Sequence, residues 1–142
     1  MIGSNVFLSE TVCFLIGRVL ELAKLLIPLP KLFIMAQKIL ITKFNFSIPV
    51  AEFNDLLSAV AQDFATVPGC QWKIWLIDEE KKEGGAIYLF KNKEALEDFK
   101  ASPLVASVVS HPAFSNFDFR ETDIVQEPSE ITRAPLMEMT VA

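Results

Sequence analysis

Two short apolar runs, 70–77 (CQWKIWLI) and 86–90 (AIYLF), flank the charged, glycine-bearing stretch DEEKKEGG. Runs of this length and makeup, joined by such a loop, read as a β-hairpin. Both parities of the hairpin carry large apolar groups. Cys70, Trp72, Ile74 and Leu76 alternate with Gln71, Lys73, Trp75 and Ile77, and Ile87 and Leu89 oppose Tyr88 and Phe90. A sheet with one wet face alternates more cleanly. Covering Trp75 and Ile77 alone is worth several kcal/mol at about 25 cal/mol per Å². The pattern predicts helices on one face and a second copy of the chain on the other, a homodimer about a two-fold axis. Cover by residues 1–34 or by the C-terminal tail is the intrachain alternative.

The flanking sequence supplies the rest of a domain at 36–128. Lys38–Phe46 (KILITKFNF) alternates as a strand. Ser47-Ile48-Pro49 opens a helix whose apolar face is Phe53, Leu56, Leu57, Val60, Ala61 and Phe64, and Pro68-Gly69 closes it. Asn92 is suited to cap a helix through Lys100, with Ala95, Leu96 and Phe99 inward. Ser102-Pro103 interrupts the pattern before a further turn or two at 104–109, and 117–125 (FDFRETDIV) reads as the last strand. The order β-α-β-β-α-β is the ferredoxin-like, α+β plan.

Two segments lie outside this plan. Residues 1–34 are apolar, but Arg18, Glu21 and Lys24 share one side of the helix they would form. That predicts an amphipathic N-terminal extension, with peripheral membrane contact through residues 10–27, and not a spanning helix. The competing reading starts translation at Met35. Residues 129–142 read as a poorly ordered tail.

Composition removes several function classes. The net charge is −5 and Lys and Arg are not clustered, which argues against nucleic acid. Two cysteines and one histidine cannot build a zinc site without carboxylates, so no metal is expected. A disulfide framework is equally unexpected, which points to a reducing, cytoplasmic setting. Phosphate-loop, nucleophile-elbow and dinucleotide fingerprints are absent from the sequence. Gly84-Gly85 lacks the strand-to-helix context of a phosphate cradle and reads as turn geometry.

At the hairpin the chain resembles a known family. Pro68-Gly69-Cys70-Gln71-Trp72-Lys73-Ile74-Trp75 and Glu83-Gly84-Gly85-Ala86-Ile87-Tyr88-Leu89-Phe90 are similar to the Pro-Gly-x-x-Trp-Lys-x-Trp and Glu-x-Gly-Gly-x-Tyr-x-Phe strands of the YdhR-type monooxygenases. Here Ala86 makes up the length after the Gly-Gly pair. The likeness thins outside the hairpin and leaves residues 1–34 without a counterpart. It implies a dimeric α/β barrel related to the antibiotic-biosynthesis monooxygenases, with no flavin, haem or metal cofactor. It further implies oxygenation of a small aromatic or polyphenolic substrate by O₂, through a substrate carbanion that itself reduces O₂. The alternative is a non-catalytic small-molecule-binding or stress-response module on the same barrel.

The candidate residues each carry two readings. Lys73, Tyr88 and His111 are the candidate catalytic groups: a buried amine as base, a phenol for proton transfer, and a loop imidazole. The plain readings are a lysine stem lying over apolar neighbours, a half-buried strand tyrosine, and a solvated histidine. Trp72, Trp75, Tyr88 and Phe90 are the candidate substrate-binding residues. The two tryptophans are three apart, so they face opposite sides of the strand, one core and one interface if neither binds substrate. Arg120 and Glu121 are candidate ion-pair partners for neighbouring charges or for Lys73, and Cys70 is a small buried hydrophobe.

Overall fold

The computed structural model describes residues 36–136. The expected amphipathic helix and its membrane contact at 10–27 lie outside the described residues, as does the end of the tail. Among the described residues no helix is long and apolar enough to cross a membrane.

The elements follow in the order β1 (Lys38–Phe46), α1 (Val50–Ala65), β2 (Cys70–Asp78), β3 (Glu83–Phe90), α2 (Lys93–Lys100), α3 (Pro103–Val109), β4 (Phe114–Asp123) and α4 (Gln126–Ile131). The strands form one antiparallel sheet in the order β2-β3-β1-β4. This is the ferredoxin-like α+β arrangement expected from the sequence. Local signals explain the helix starts. The Asn92 side chain accepts from the Ala95 N–H at 2.8 Å, and the Ser102 hydroxyl accepts from the Val105 N–H at 3.4 Å ahead of Pro103.

One face of the sheet carries the core. Leu40, Ala86, Tyr88 and Phe90 pack with Phe64 of α1 and with Ala95, Leu96 and Phe99 of α2. Val105 and Val108 of α3 close over the same cluster. A second aromatic group lies at the other end of β1, where Phe46 and Phe53 stack with centroids 4.1 Å apart and Phe44 meets Phe114 at 5.0 Å. A cavity lined by residues of both groups lies between them.

The structure amends the sequence reading at several points. β3 begins at Glu83, so Gly84 and Gly85 lie inside a strand and not in a turn. A Cβ on Gly84 would come within 2.7 Å of the Phe53 ring, and one on Gly85 within 2.3 Å of the Thr42 carbonyl oxygen. Close approach therefore demands these glycines. β4 starts three residues and ends two residues earlier than expected, and a register shift between Cys70 and Trp72 breaks the simple alternation of β2. Cys70 pairs with Phe90 and packs on the core, while Trp72 pairs with Leu89 and faces away. Past the bulge, Trp75 is opposite Ala86 and also packs on the core.

The other sheet face is apolar as well. Its rows run Trp72–Leu89–Ile39 and Ile74–Ile87–Ile41 across three strands. Residues 129–136, expected as a loose tail, continue α4 and return to the first of these rows. Trp72 Nε1 donates to the Pro135 carbonyl at 2.7 Å, the Gln37 amide donates to the Leu136 carbonyl at 2.6 Å, and Leu136 is buried. Leu89 in that row is fully buried, whereas Ile74, Leu76 and Ile41 beyond it stay exposed.

Candidate functional site

A cavity of about 200 Å³ lies between the core face of the sheet and helices α1 and α3. Its helical wall is Leu56, Leu57, Val60 and Phe64 from α1 with Val108 from α3, and its sheet wall includes Thr42, Phe44, Ala86 and Tyr88. Lys73, Trp75 and His111 complete it. The fold thus brings together four of the residues singled out in the sequence: Lys73, Trp75, Tyr88 and His111.

Trp72 and Phe90, also expected to bind substrate, are not brought there. Trp72 faces the opposite side of the sheet, where its indole N–H is held by the Pro135 carbonyl. Phe90 is wholly buried between Tyr88 and Phe99, with centroid distances of 6.0 and 5.3 Å. The strand alternation that puts Tyr88 and Phe90 on one face also places Phe90 one step further into the core. Arg120 and Glu121 do not reach Lys73: Glu121 pairs with Lys100 at 2.5 Å and Arg120 with Asp118 at 3.6 Å.

Lys73 sets the electrostatics of the cavity. Its Nζ lies 3.1 Å from the Trp75 ring centre, 3.2 Å from that of Phe64 and 4.7 Å from that of Tyr88. Burial pulls its pKa down to about 6, with the neighbouring Cys70 a smaller opposing influence. The ring faces also oppose, since their quadrupoles hold an ammonium and not an amine. Among the described residues, no carboxylate forms an ion pair with it.

The neighbouring groups are held neutral. Burial pushes the Tyr88 phenol up, against a hydrogen-bonding influence of the Thr42 hydroxyl, so it stays a proton donor. Burial likewise raises the Cys70 thiol. His111 stacks on Phe114 at 4.6 Å, and its Nδ1 accepts from the Ala113 N–H at 3.2 Å. That bond selects the tautomer with its proton on Nε2 whenever the ring is neutral. The arrangement offers an amine base, a phenol and an imidazole around a largely apolar hollow, a set suited to removing a proton from a bound organic molecule.

Sequence reasoning missed Thr42 and the part α1 plays in the wall. Thr42 was visible as the polar residue on the inward parity of KILITKFNF, between Leu40 and Phe44. Leu56, Leu57 and Val60 read from the sequence as one apolar helix face, and nothing in their spacing distinguishes a filled interface from a hollow one. A larger groove of about 590 Å³ runs between the end of α1 and helices α2 and α3, but it is lined by solvated charges such as Asp63, Glu94 and Asp98, and none of the candidate residues line it. No group of three metal-ligating side chains occurs among the described residues.

Comparison with known proteins agrees with the fold. Comparison with curated proteins returned no match. Among solved structures, the cofactor-independent oxygenase SnoaB from Streptomyces nogalater superimposes with a TM-score of 0.54, at 18% identity over 64% of this chain and 95% of that one. A "putative antibiotic biosynthesis monooxygenase" from Deinococcus radiodurans gives 0.52, at 17% identity over 61% and 91%. The heme degrader MhuD from Mycobacterium tuberculosis gives 0.50, at 15% identity over 62% and 95%. At these identities the likeness is one of fold. The family model described as "Putative mono-oxygenase ydhR" matches residues 39–135. That match spans well over half of the sequence, from β1 through the return of the C-terminal segment, and the chain therefore belongs to the YdhR mono-oxygenase family.

Proposed function

We propose that this protein is a cofactor-independent mono-oxygenase, and that it oxidises a small aromatic substrate in the cavity bounded by Lys73, Tyr88 and His111. The observation that carries this reading is the Lys73 amine, set in an apolar hollow where burial holds its pKa at about 6. An amine of that pKa is largely free base at neutral pH and accepts a proton from an activated CH₂ group. The substrate carbanion passes its electrons to O₂ and forms a hydroperoxide. Loss of water leaves a carbonyl, so R₂CH₂ and O₂ give R₂C=O and H₂O. The Tyr88 phenol supplies a hydrogen bond to the developing oxyanion, and the walls exclude water from the carbanion. Membership of a mono-oxygenase family and the shared fold with SnoaB support this chemistry.

The proposal includes a homodimer. Ile41, Ile74 and Leu76 form an exposed apolar patch on the sheet face that helices do not cover. A second copy packed sheet to sheet about a two-fold axis is the simplest cover. A reducing, cytoplasmic setting fits Cys70, a free thiol half-buried beside the core.

Oxygen uptake by the full chain with anthrone- and quinol-like compounds tests the reading. Uptake, with one atom of labelled O₂ in the product and loss of turnover in Lys73→Met, is the expected result. Tight ligand binding without uptake across the panel overturns it in favour of a binding module.

A further inference from the structure

The inside of the cavity is unbalanced in charge. Lys73 is the one side chain lining it that can carry a full charge, apart from the imidazole of His111. The hollow on the other side of Lys73 adds only Cys70 as a titratable neighbour. The groups facing Lys73 are Cys70 from its own strand, Tyr88 from β3, His111 from the loop after α3, and apolar side chains from α1. None of these is an anion at neutral pH, because burial holds the thiol and the phenol protonated. The cage of Phe64, Trp75 and Tyr88 touches the ammonium with ring faces, which attract a cation but carry no net charge. When Lys73 carries a proton, its charge is solvated by rings and balanced by no anion among the described residues.

From this geometry we infer that the cavity selects an aromatic oxyanion, a single ring bearing a carboxylate or phenolate, with Lys73 as its counter-charge. The inference rests on the proposed site but not on oxygenation taking place there. An apolar protein cavity of about 150 Å³ holds a benzene, so about 200 Å³ accommodates one substituted ring. The apolar walls from α1 take the ring, and the ammonium takes the charge. A neutral analogue of the same shape gains the walls and forfeits the charge-assisted hydrogen bond. Since burial favours the free amine in the empty site, the anion also draws a proton onto Lys73 as it binds. Ligand recognition and protonation of the lysine are then one event, and an anion held on Lys73 occupies the amine that otherwise acts as the base.

Calorimetric titration of the full-length protein with 4-methylbenzoate and with 4-methylbenzamide tests this. The carboxylate is expected to bind at least about tenfold more tightly, the span of a charge-assisted bond. Above neutral pH its binding heat is expected to vary with the ionisation heat of the buffer, showing proton uptake. Lys73→Met should abolish the preference while leaving amide binding equal or stronger, which also shows that the variant is folded. Lys73→Arg should keep the preference. Equal affinities in the native protein, or a preference that survives in Lys73→Met, overturn the inference. Oxygen uptake with neutral substrates alongside equal affinities would leave the oxygenase standing without the anion. Anion preference without any uptake would do the reverse.

Discussion

The Trp72 indole N–H donates to the Pro135 carbonyl at 2.7 Å, and so ties edge strand β2 to the last described turn of the chain. The bond lies on the sheet face away from the cavity. Trp72→Phe keeps most of the apolar contact and removes the donor. It should lower stability by about 1 kcal/mol, the usual net value of a protein hydrogen bond. Ligand affinity at the Lys73 cavity should not change. Urea unfolding beside a ligand titration checks both halves, and a loss of ligand binding without a loss of stability would place Trp72 in the site after all.

Lys73 makes stability depend on pH in a direction opposite to that of a salt-bridged lysine. Its pKa falls from an ordinary 10.5 to about 6 on folding. Between those values the unfolded chain holds a proton there that the folded chain does not, so stability from this group rises with pH across that window. Above 10.5 and below about 6 the contribution is flat. Unfolding midpoints measured from pH 6 to 10 should climb with a slope that Lys73→Met removes. Turnover that uses the amine as base should likewise rise through pH about 6 and level off. An unchanged slope in Lys73→Met would assign the dependence to other groups.

The two glycines of β3 act on different neighbours and so should fail differently. A methyl at Gly85 meets the Thr42 carbonyl oxygen, a backbone atom of β1 that moves only with the strand. Gly85→Ala should cost about 1–3 kcal/mol by overpacking, at least as much as Gly84→Ala. A methyl at Gly84 meets the rings of Phe53 and Phe44, which line the cavity and can rotate away at its expense. Gly84→Ala should therefore weaken ligand binding more than it weakens the fold. Parallel unfolding and binding curves for the two variants check the split.

The sequence made the architecture readable because each element carried its own local signal. Lys38–Phe46 was bounded without error by its alternation, and Asn92 and Ser102-Pro103 marked the starts of α2 and α3. The facing of residues around Cys70 was not readable, since a bulge is a two-strand event and β2 alone shows only perfect alternation. The same limit hid the purpose of Gly84 and Gly85, which depends on how closely β1 and the Phe53 ring approach. For the site, parity correctly separated Trp72 from Trp75 but did not say which one met the cavity. Phe90 shares the inward parity of Tyr88 and still lies outside, because membership of a hollow depends on helix placement above the sheet. The return of residues 132–136 over Trp72 had no periodic pattern to announce it.

The exposed patch around Ile74 offers the sharpest test of the proposed dimer. Ile74 lies beside Ile87 and, one strand further, Ile41, and it is 49% exposed in the single chain. It neither lines the cavity nor packs on the core cluster. Ile74→Lys thus puts a charge where two sheets would meet and leaves the interior of one chain alone. In a dimer the buried, unpaired lysine would cost several kcal/mol per subunit, and light scattering should report a folded monomer. A substitution at Lys43 on the same face, Lys43→Ala, serves as the control, because that side chain is already exposed and pairs with Glu83 at 3.0 Å. Native protein that runs as a monomer at micromolar concentration would remove the second copy from the reading. A dimer that persists in Ile74→Lys would move the interface to another surface.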